Sequence, residues 1–388
     1  MSDQGRHSHA ELGRELARRL EERDERSRRA HAAAAEVTGL PAAERPGFVR
    51  SQPDCLAPEF IELMIAIARE RRGPAPEESI AYAHLAATAA EAAHAAGSQV
   101  DDARALAFAE LGNAHRIRGD LRRAGIAFQL ARERARFAAD PLVRAEVDSL
   151  EASYLDYCNE FEAAERLLRR AEQIEQRFGS AHGVSKLRIK RGSAAQRLGD
   201  PDRAIELLRS GLELVDHEED PRLTLVGIHN LANALIDADR SDEALSLLRR
   251  HRSDYDRVGT PTDRARLGWL EGRAACRAGL DQLGETSLEE VRDRFVELEM
   301  PYEAALVFLD LSEIYLRSGR WDAVEEAAAA TVALCRACGA RPEALAAATL
   351  YLNAAQRRQG SAETLAALAS KVRRTLDRRM LRRIPSRD

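Results

Sequence analysis

Side chains that could do chemistry are few in this sequence. Cys335 and Cys338 form a CxxC pair, a spacing with which thiolates can chelate zinc. A structural zinc site needs four ligands, however, and neither a second CxxC nor a histidine set accompanies this one. On a helix beside a glycine the two sulfurs read as small buried hydrophobes. His7 and His9 stand in a terminal segment where nothing completes a metal site, and the acidic run Asp216–Asp220 lacks the ligand spacing of a calcium loop. No glycine-rich phosphate loop, GxSxG elbow or HExxH helix is present. The expectation is a chain without metal, cofactor or catalytic residues. The basic tail from Lys371 to Arg387 could meet phosphates, but no stacking aromatics are interleaved with its charges, so a nucleic-acid partner is not expected.

The 388 residues carry 59 basic and 64 acidic side chains, a net charge of −5 that argues against a general polyanion binder. Only three lysines occur, Lys186, Lys190 and Lys371; the remaining basic residues are arginine. Hydrophobic residues make up 45% and aromatics 5%. With Ala, Leu, Arg and Glu dominant, this is a helix-forming composition poor in strand formers. Five cysteines at no disulfide-like spacing suit a reducing compartment. The charged first thirty residues lack the apolar core of a signal peptide, and no apolar run is long enough to span a bilayer. A cytoplasmic location without membrane contact is expected.

The elements that must position any site are set by a forty-residue period. Gly112, Ala152, Gly192, Ala232, Gly272 and Ser312 are all small, and twelve residues after them come Ala124, Ala164, Ala204, Ala244, Gly284 and Val324. Between these runs Gly119, Asn159, Gly199, Asp239, Gly279 and Gly319, a set tolerant of a left-handed backbone. Each period therefore reads as helix A, a turn closed by a left-handed cap, helix B and a loop. Small residues of A and B are expected to face each other. Pro141, Pro221, Pro261 and Pro301 restart the A helices, preceded in three cases by Asp140, Asp220 and Thr260 as N-caps. Asp101 and Asp102 are the corresponding candidates for the first regular helix.

Four segments follow from this. Residues 1–58 hold an N-terminal helix over about Glu11–Val37, with a Leu12/Leu16/Leu20 stripe, and a proline-punctuated connector with a short helix near Ala42–Val49; their first residues are expected to be disordered. Residues 59–100 form an irregular first hairpin, 101–340 six regular repeats, and 341–388 a capping hairpin and basic tail.

The stretch Leu111–Ala131 resembles the tetratricopeptide repeat. Leu111–Gly112, Ala124, Phe128 and Ala131 take the family's Leu-Gly, Ala, Phe and Ala positions, with His115 where tyrosine is usual. Leu168, Leu208, Leu248 and Leu288 succeed Phe128 in later repeats. The usual unit is about 34 residues, so this is a long variant, similar to units of bacterial peptide-sensing regulators and stand-alone bacterial repeat proteins. The fold class implied is all-α, a right-handed α-α superhelical solenoid of stacked helical hairpins.

In that family the A helices line a concave groove that takes an extended peptide or a partner helix. The resemblance places Asn113, Lys186, Lys190, Ser193, Asn230, Asn233, Trp269 and Arg273 on the corresponding face. Amides there can donate to and accept from a peptide backbone at once, and the cations can pair with partner carboxylates. Trp269 reads equally as an aromatic anchor and as core filler. The main expectation is a non-enzymatic scaffold or adaptor for a protein or peptide. One alternative is a peptide-sensing regulator of transcription or signalling, with an effector surface on residues 1–58. A second is a phosphatase or other hydrolase on the same scaffold, which would need a convergent acid–amide cluster.

Overall fold

A computed structural model describes residues 9–340, 342–357 and 362–377. Among them are eighteen α-helices and no strand. The chain forms two compact units, residues 1–155 and 156–388. In each, successive antiparallel helical hairpins stack in sequence order, giving the all-α solenoid class that composition and period imply.

In the first unit α1 (His9–Gly39) packs on α3 (Pro58–Arg71), and α2 (Arg45–Ser51) on α4 (Pro76–Ala95). The regular hairpin α5 (Asp101–Arg118) and α6 (Leu121–Ala135) follows, then α7 (Pro141–Tyr157), whose last residues enter the second unit. The second unit continues with α8 (Phe161–Phe178), α9 (Ala181–Arg197), α10 (Pro201–Leu212), α11 (Pro221–Asp237) and α12 (Ser241–Val258). It ends with α13 (Pro261–Arg277), α14 (Asp281–Glu297), α15 (Pro301–Arg317), α16 (Trp321–Ala337), α17 (Pro342–Gln356) and α18 (Ala362–Asp377). Residues 1–8 and the basic tail at 378–388 lie outside the described residues, as do the side chains of Leu12, Leu16 and Leu20. No helix among the described residues is long and apolar enough to cross a membrane.

Local chemistry explains the hairpins. All six residues of the turn ladder have positive φ, including the non-glycines Asn159 (64°) and Asp239 (57°). Asp220 accepts a hydrogen bond from the backbone N–H of Leu223 at 2.9 Å, and Thr260 forms a full capping box with Asp263 ahead of Pro261. Asp102 departs from expectation. It sits in the first turn of α5, and its carboxylate accepts from the backbone N–H of Ala139 at 2.7 Å, so it fastens the loop before α7 instead of capping its own helix.

Packing within hairpins also refines the small-residue ladder. A Cβ on Gly192 would sit 2.5 Å from Cγ of Leu208, and one on Gly272 2.8 Å from Cγ of Leu288. The small residue of helix A is thus covered by the large residue sixteen positions later, Leu208 or Leu288, both fully buried. Each such leucine contributes about 1.5–3 kcal/mol of burial. The two small ladders also meet through the backbone, where a Cβ on Gly284 would sit 3.0 Å from the carbonyl oxygen of Gly272.

Buried arginine–carboxylate groups join helix B to the A helix after it. Arg191 on α9 bonds Glu165 (2.9 Å) and Glu172 (2.5 Å) on α8, and Arg188 adds a second cation to Glu172 at 3.0 Å. In the first unit a similar group instead joins the first helices of successive hairpins: Arg69 on α3 and Arg72 just past its end clamp Glu110 of α5 at 2.7 and 2.6 Å.

Candidate functional site

Five of the eight residues assigned to the partner-binding face form one continuous polar row on the A helices of the second unit. The amide nitrogen of Asn230 on α11 donates to Oγ of Ser193 on α9 at 2.8 Å. That hydroxyl in turn donates to the carbonyl of Ile189. One turn along α11, Oδ1 of Asn233 accepts from Nη1 of Arg273 on α13 at 2.6 Å. Nη2 of Arg273 reaches Asp237 at 3.3 Å, whose other oxygen accepts from Gln196 on α9 at 2.6 Å. Trp269 donates its Nε1–H to Asp310 on α15 at 2.6 Å and stands edge-on to Phe295 with ring centroids 5.9 Å apart.

These bonds span 36 to 41 residues, one repeat each, because the neighbour of an A-helix position is its counterpart in the next repeat. The polar row therefore ties successive repeats together. It also leaves specific groups unused. A guanidinium only donates, so Arg273 fixes Asn233 with Oδ1 inward and Nδ2 unengaged. Ser193 donates elsewhere, so Asn230 gives it Nδ2 and keeps Oδ1. Both asparagines are half-buried. Together they present a free carbonyl oxygen and a free amide NH2 group, about 4.5 Å apart along the helix axis.

The remaining assigned residues are placed differently. Lys186 on α9 is exposed and stands in no ion pair among the described residues. Lys190, one turn on, is half-buried and has an interaction of its own. Asn113 belongs to the first unit and is 2% exposed. Arg116, three residues on, donates to its Oδ1 through Nε and Nη2 at 3.1 and 2.8 Å. The structure thus withdraws Asn113 from the surface; a sequence position fixes the helix face but not the arginine folding back over it.

His229 lies on the same face of α11, with partial access to solvent. Its pKa is pushed down to about 4, first by burial and then by the charge of Arg266, with Asp263 opposing and Arg273 adding a smaller push in the same direction. It stands as a neutral imidazole among guanidiniums.

Beside Arg273 a small polar pocket of about 160 Å³ is lined by Asp237, Cys276, Asp310, Glu313 and Arg373 among others. It is smaller than the pockets that enclose whole small molecules and suits a single side chain. The Cys276 thiol there is pushed up to about 12, chiefly by burial, so it stays protonated and is a poor nucleophile. Cys335 and Cys338 are both buried, and Cys335 is likewise pushed up to about 12 by burial. Asp237, Gln196 and Arg373 stand beside this row and were not assigned from the sequence. A search for opposite charges and amides one repeat apart would have found the first two.

A tetratricopeptide-type helical repeat with a polar A-helix row is the class that this geometry defines. No family model matches the chain, and no curated protein matches it. Among solved structures it is similar to a Rap protein complexed with competence and sporulation factor, with a TM-score of 0.62 and 12% identity over 83% of this chain and 88% of the other. It is also similar to a signal transduction ATPase with a tetratricopeptide repeat sensor from Pyrococcus horikoshii, with a TM-score of 0.56, 12% identity, 87% of this chain and 52% of that one. Aspartyl phosphate phosphatase F from Bacillus subtilis matches with a TM-score of 0.51 and 13% identity, over 81% of this chain and 82% of the other. At these identities the likeness is one of fold.

Proposed function

We propose that the chain is a non-enzymatic scaffold or adaptor that binds a protein or peptide segment on the A-helix face of its second unit. The observation that carries this reading is the pair of half-used amides. Asn230 Oδ1 would accept from a backbone N–H of an extended segment, and Asn233 Nδ2 would donate to one of its carbonyls. Ser193 and Arg273 hold both amides in place beforehand, which lowers the ordering cost of binding. Lys186 offers an unpaired cation for an acidic group on the ligand, and Trp269, fixed by Asp310, an aromatic edge. Asn113 takes no part.

A second reading, a peptide-sensing regulator, draws support from the similar Rap protein that is complexed with competence and sporulation factor. It uses the same face and adds an effector surface on residues 1–58. The hydrolase reading has less support. Gln196, Asn233, Asp237 and Arg273 do assemble an acid–amide cluster, but its hydrogen bonds run between successive repeats and account for it as a tie between α9, α11 and α13.

Selection of displayed random peptides on the full chain tests the proposal. Peptides recovered should weaken roughly tenfold on Asn230→Leu with Asn233→Leu, since two interfacial hydrogen bonds are worth about 1–3 kcal/mol together. Recovery of no peptide, or equal affinity for the double variant, would refute it. Hydrogen exchange on residues 1–58, altered by a bound peptide, would favour the regulator reading.

A further inference from the structure

A second concavity, in the first unit and apart from the face above, is larger. It has a volume of about 490 Å³ and lies between α4, the α2 segment and the α5–α6 turn region. That volume falls within the roughly 300–1,000 Å³ of small-molecule sites. Its apolar wall is Ala42, Pro46, Ile80, Ala81 and Leu85. Its polar lining is Arg45, His84, His115, Arg123 and Glu77.

The charge of this lining is one-sided. Glu77, the one acid, is paired with Arg118. Arg45 is fixed by donating to the carbonyls of Leu40 (2.9 Å) and Thr38 (2.9 Å), which neutralises none of its charge. Arg123 is 71% exposed, with Asp120 at 3.6 Å. His84 meets Thr88 through Nδ1 at 3.5 Å, leaving Nε2 for another partner. His115 is buried at the pocket wall and has an interaction of its own.

We infer that this pocket binds a small carboxylate with a compact apolar body, its carboxylate met by Arg45, Arg123 and the His84 imidazole and its carbon chain lying on Ile80, Ala81 and Leu85. A fixed guanidinium beside a freer one suits a planar oxyanion. The apolar wall supplies the affinity that an exposed ion pair alone does not. The site joins the non-repeating segment around α2 to the first regular hairpin, so a ligand there would hold these two parts of the unit together.

The test is calorimetric titration of the full chain with straight-chain and cyclic carboxylates of four to ten carbons, alongside hexylamine and hexanol. Histidine imidazole NMR signals are followed in parallel. The expected result is saturable binding of at least one carboxylate, with His84 and His115 signals shifting, and none of hexylamine. Ala81→Trp, which fills the pocket from an exposed helix position, and Arg123→Glu should each weaken that binding at least tenfold. Circular dichroism checks that both variants remain folded. Glu218→Gln, on an exposed loop of the second unit, should leave it unchanged. Absence of binding across the whole series, equal binding of hexylamine, or binding that survives both pocket variants would overturn the assignment. Because the pocket variants and the two followed histidines lie in the first unit, failure here is distinguishable from failure of the peptide-binding face.

Discussion

Replacing Arg273 with methionine isolates the tie between neighbouring repeats on which the proposed face depends. Methionine keeps the apolar stem and removes three interactions. The bond to Asn233 at 2.6 Å joins a charge to a neutral acceptor and is worth about 1.5–3 kcal/mol. The contact with Asp237 at 3.3 Å involves a carboxylate 36% exposed and adds below about 1 kcal/mol. The guanidinium lies 6.0 Å from the Trp269 ring centre, at the edge of the cation–π range, adding about 0.5 kcal/mol at most. Water can reach the vacated Asn233 oxygen, so the net cost falls near the low end, about 2 kcal/mol. For a cooperative unit of this size that is a drop in Tm of about 4–8 °C. A double-mutant cycle with Asn233→Leu, followed by circular dichroism and by amide exchange in α11 and α13, should give a coupling energy above about 1 kcal/mol. If the two substitutions add within about 0.5 kcal/mol, the usual limit for independent sites, the tie does not exist and the amides are not pre-positioned.

Other consequences can be checked separately. Gly192→Ala should destabilise the second unit by about 1–3 kcal/mol, because its Cβ meets Leu208 at 2.5 Å; Leu208→Ala in the same chain should make the two costs subadditive by urea unfolding. Gly199→Ala should cost about 1–2 kcal/mol for a different reason, its φ of 80°, and Leu208→Ala should not alter that. Arg191→Met removes the cation shared by Glu165 and Glu172 in a buried site but leaves Arg203 on Glu165 and Arg188 on Glu172, so a loss of about 1–3 kcal/mol is expected, with Tm as the readout. His229 titrates near 4 in the folded chain against about 6.5 when unfolded. Between those values the unfolded chain binds more protons, so this histidine's contribution to stability is present above pH 6.5 and lost as pH falls towards 4. His229→Gln should flatten that slope, and a histidine NMR titration with a midpoint near 6.5 in the folded chain would contradict the assignment.

Sequence and structure agree where a residue type answers a local backbone demand. The turn ladder is legible because αL geometry favours Gly, Asn and Asp, and all six positions adopt it. Thr260 and Asp220 are legible as caps for the same local reason. Asp102 was not, since its partner, the backbone of Ala139, is 37 residues away. The candidate face was legible as a set of positions, because a forty-residue period puts equivalent residues on one side. Its hydrogen bonds were not, because pairing Asn233 with Arg273 instead of with solvent depends on the rotation of α11 against α13. Asn113 shows the same limit in reverse: the period places it on the A-helix face of its repeat, but it is buried and Arg116 bonds its amide oxygen. The carboxylate pocket was least legible of all, since it needs the non-repeating segment around Arg45 to dock on α4.

The central claim is that the A-helix face of the second unit binds an extended segment through Asn230 and Asn233. Its most direct measurement is the affinity, by fluorescence anisotropy, of a peptide selected on the full chain, compared between the native protein and the Asn230→Leu, Asn233→Leu variant. A roughly tenfold weakening with the fold intact is the predicted result; an unchanged affinity in a folded variant would contradict the account.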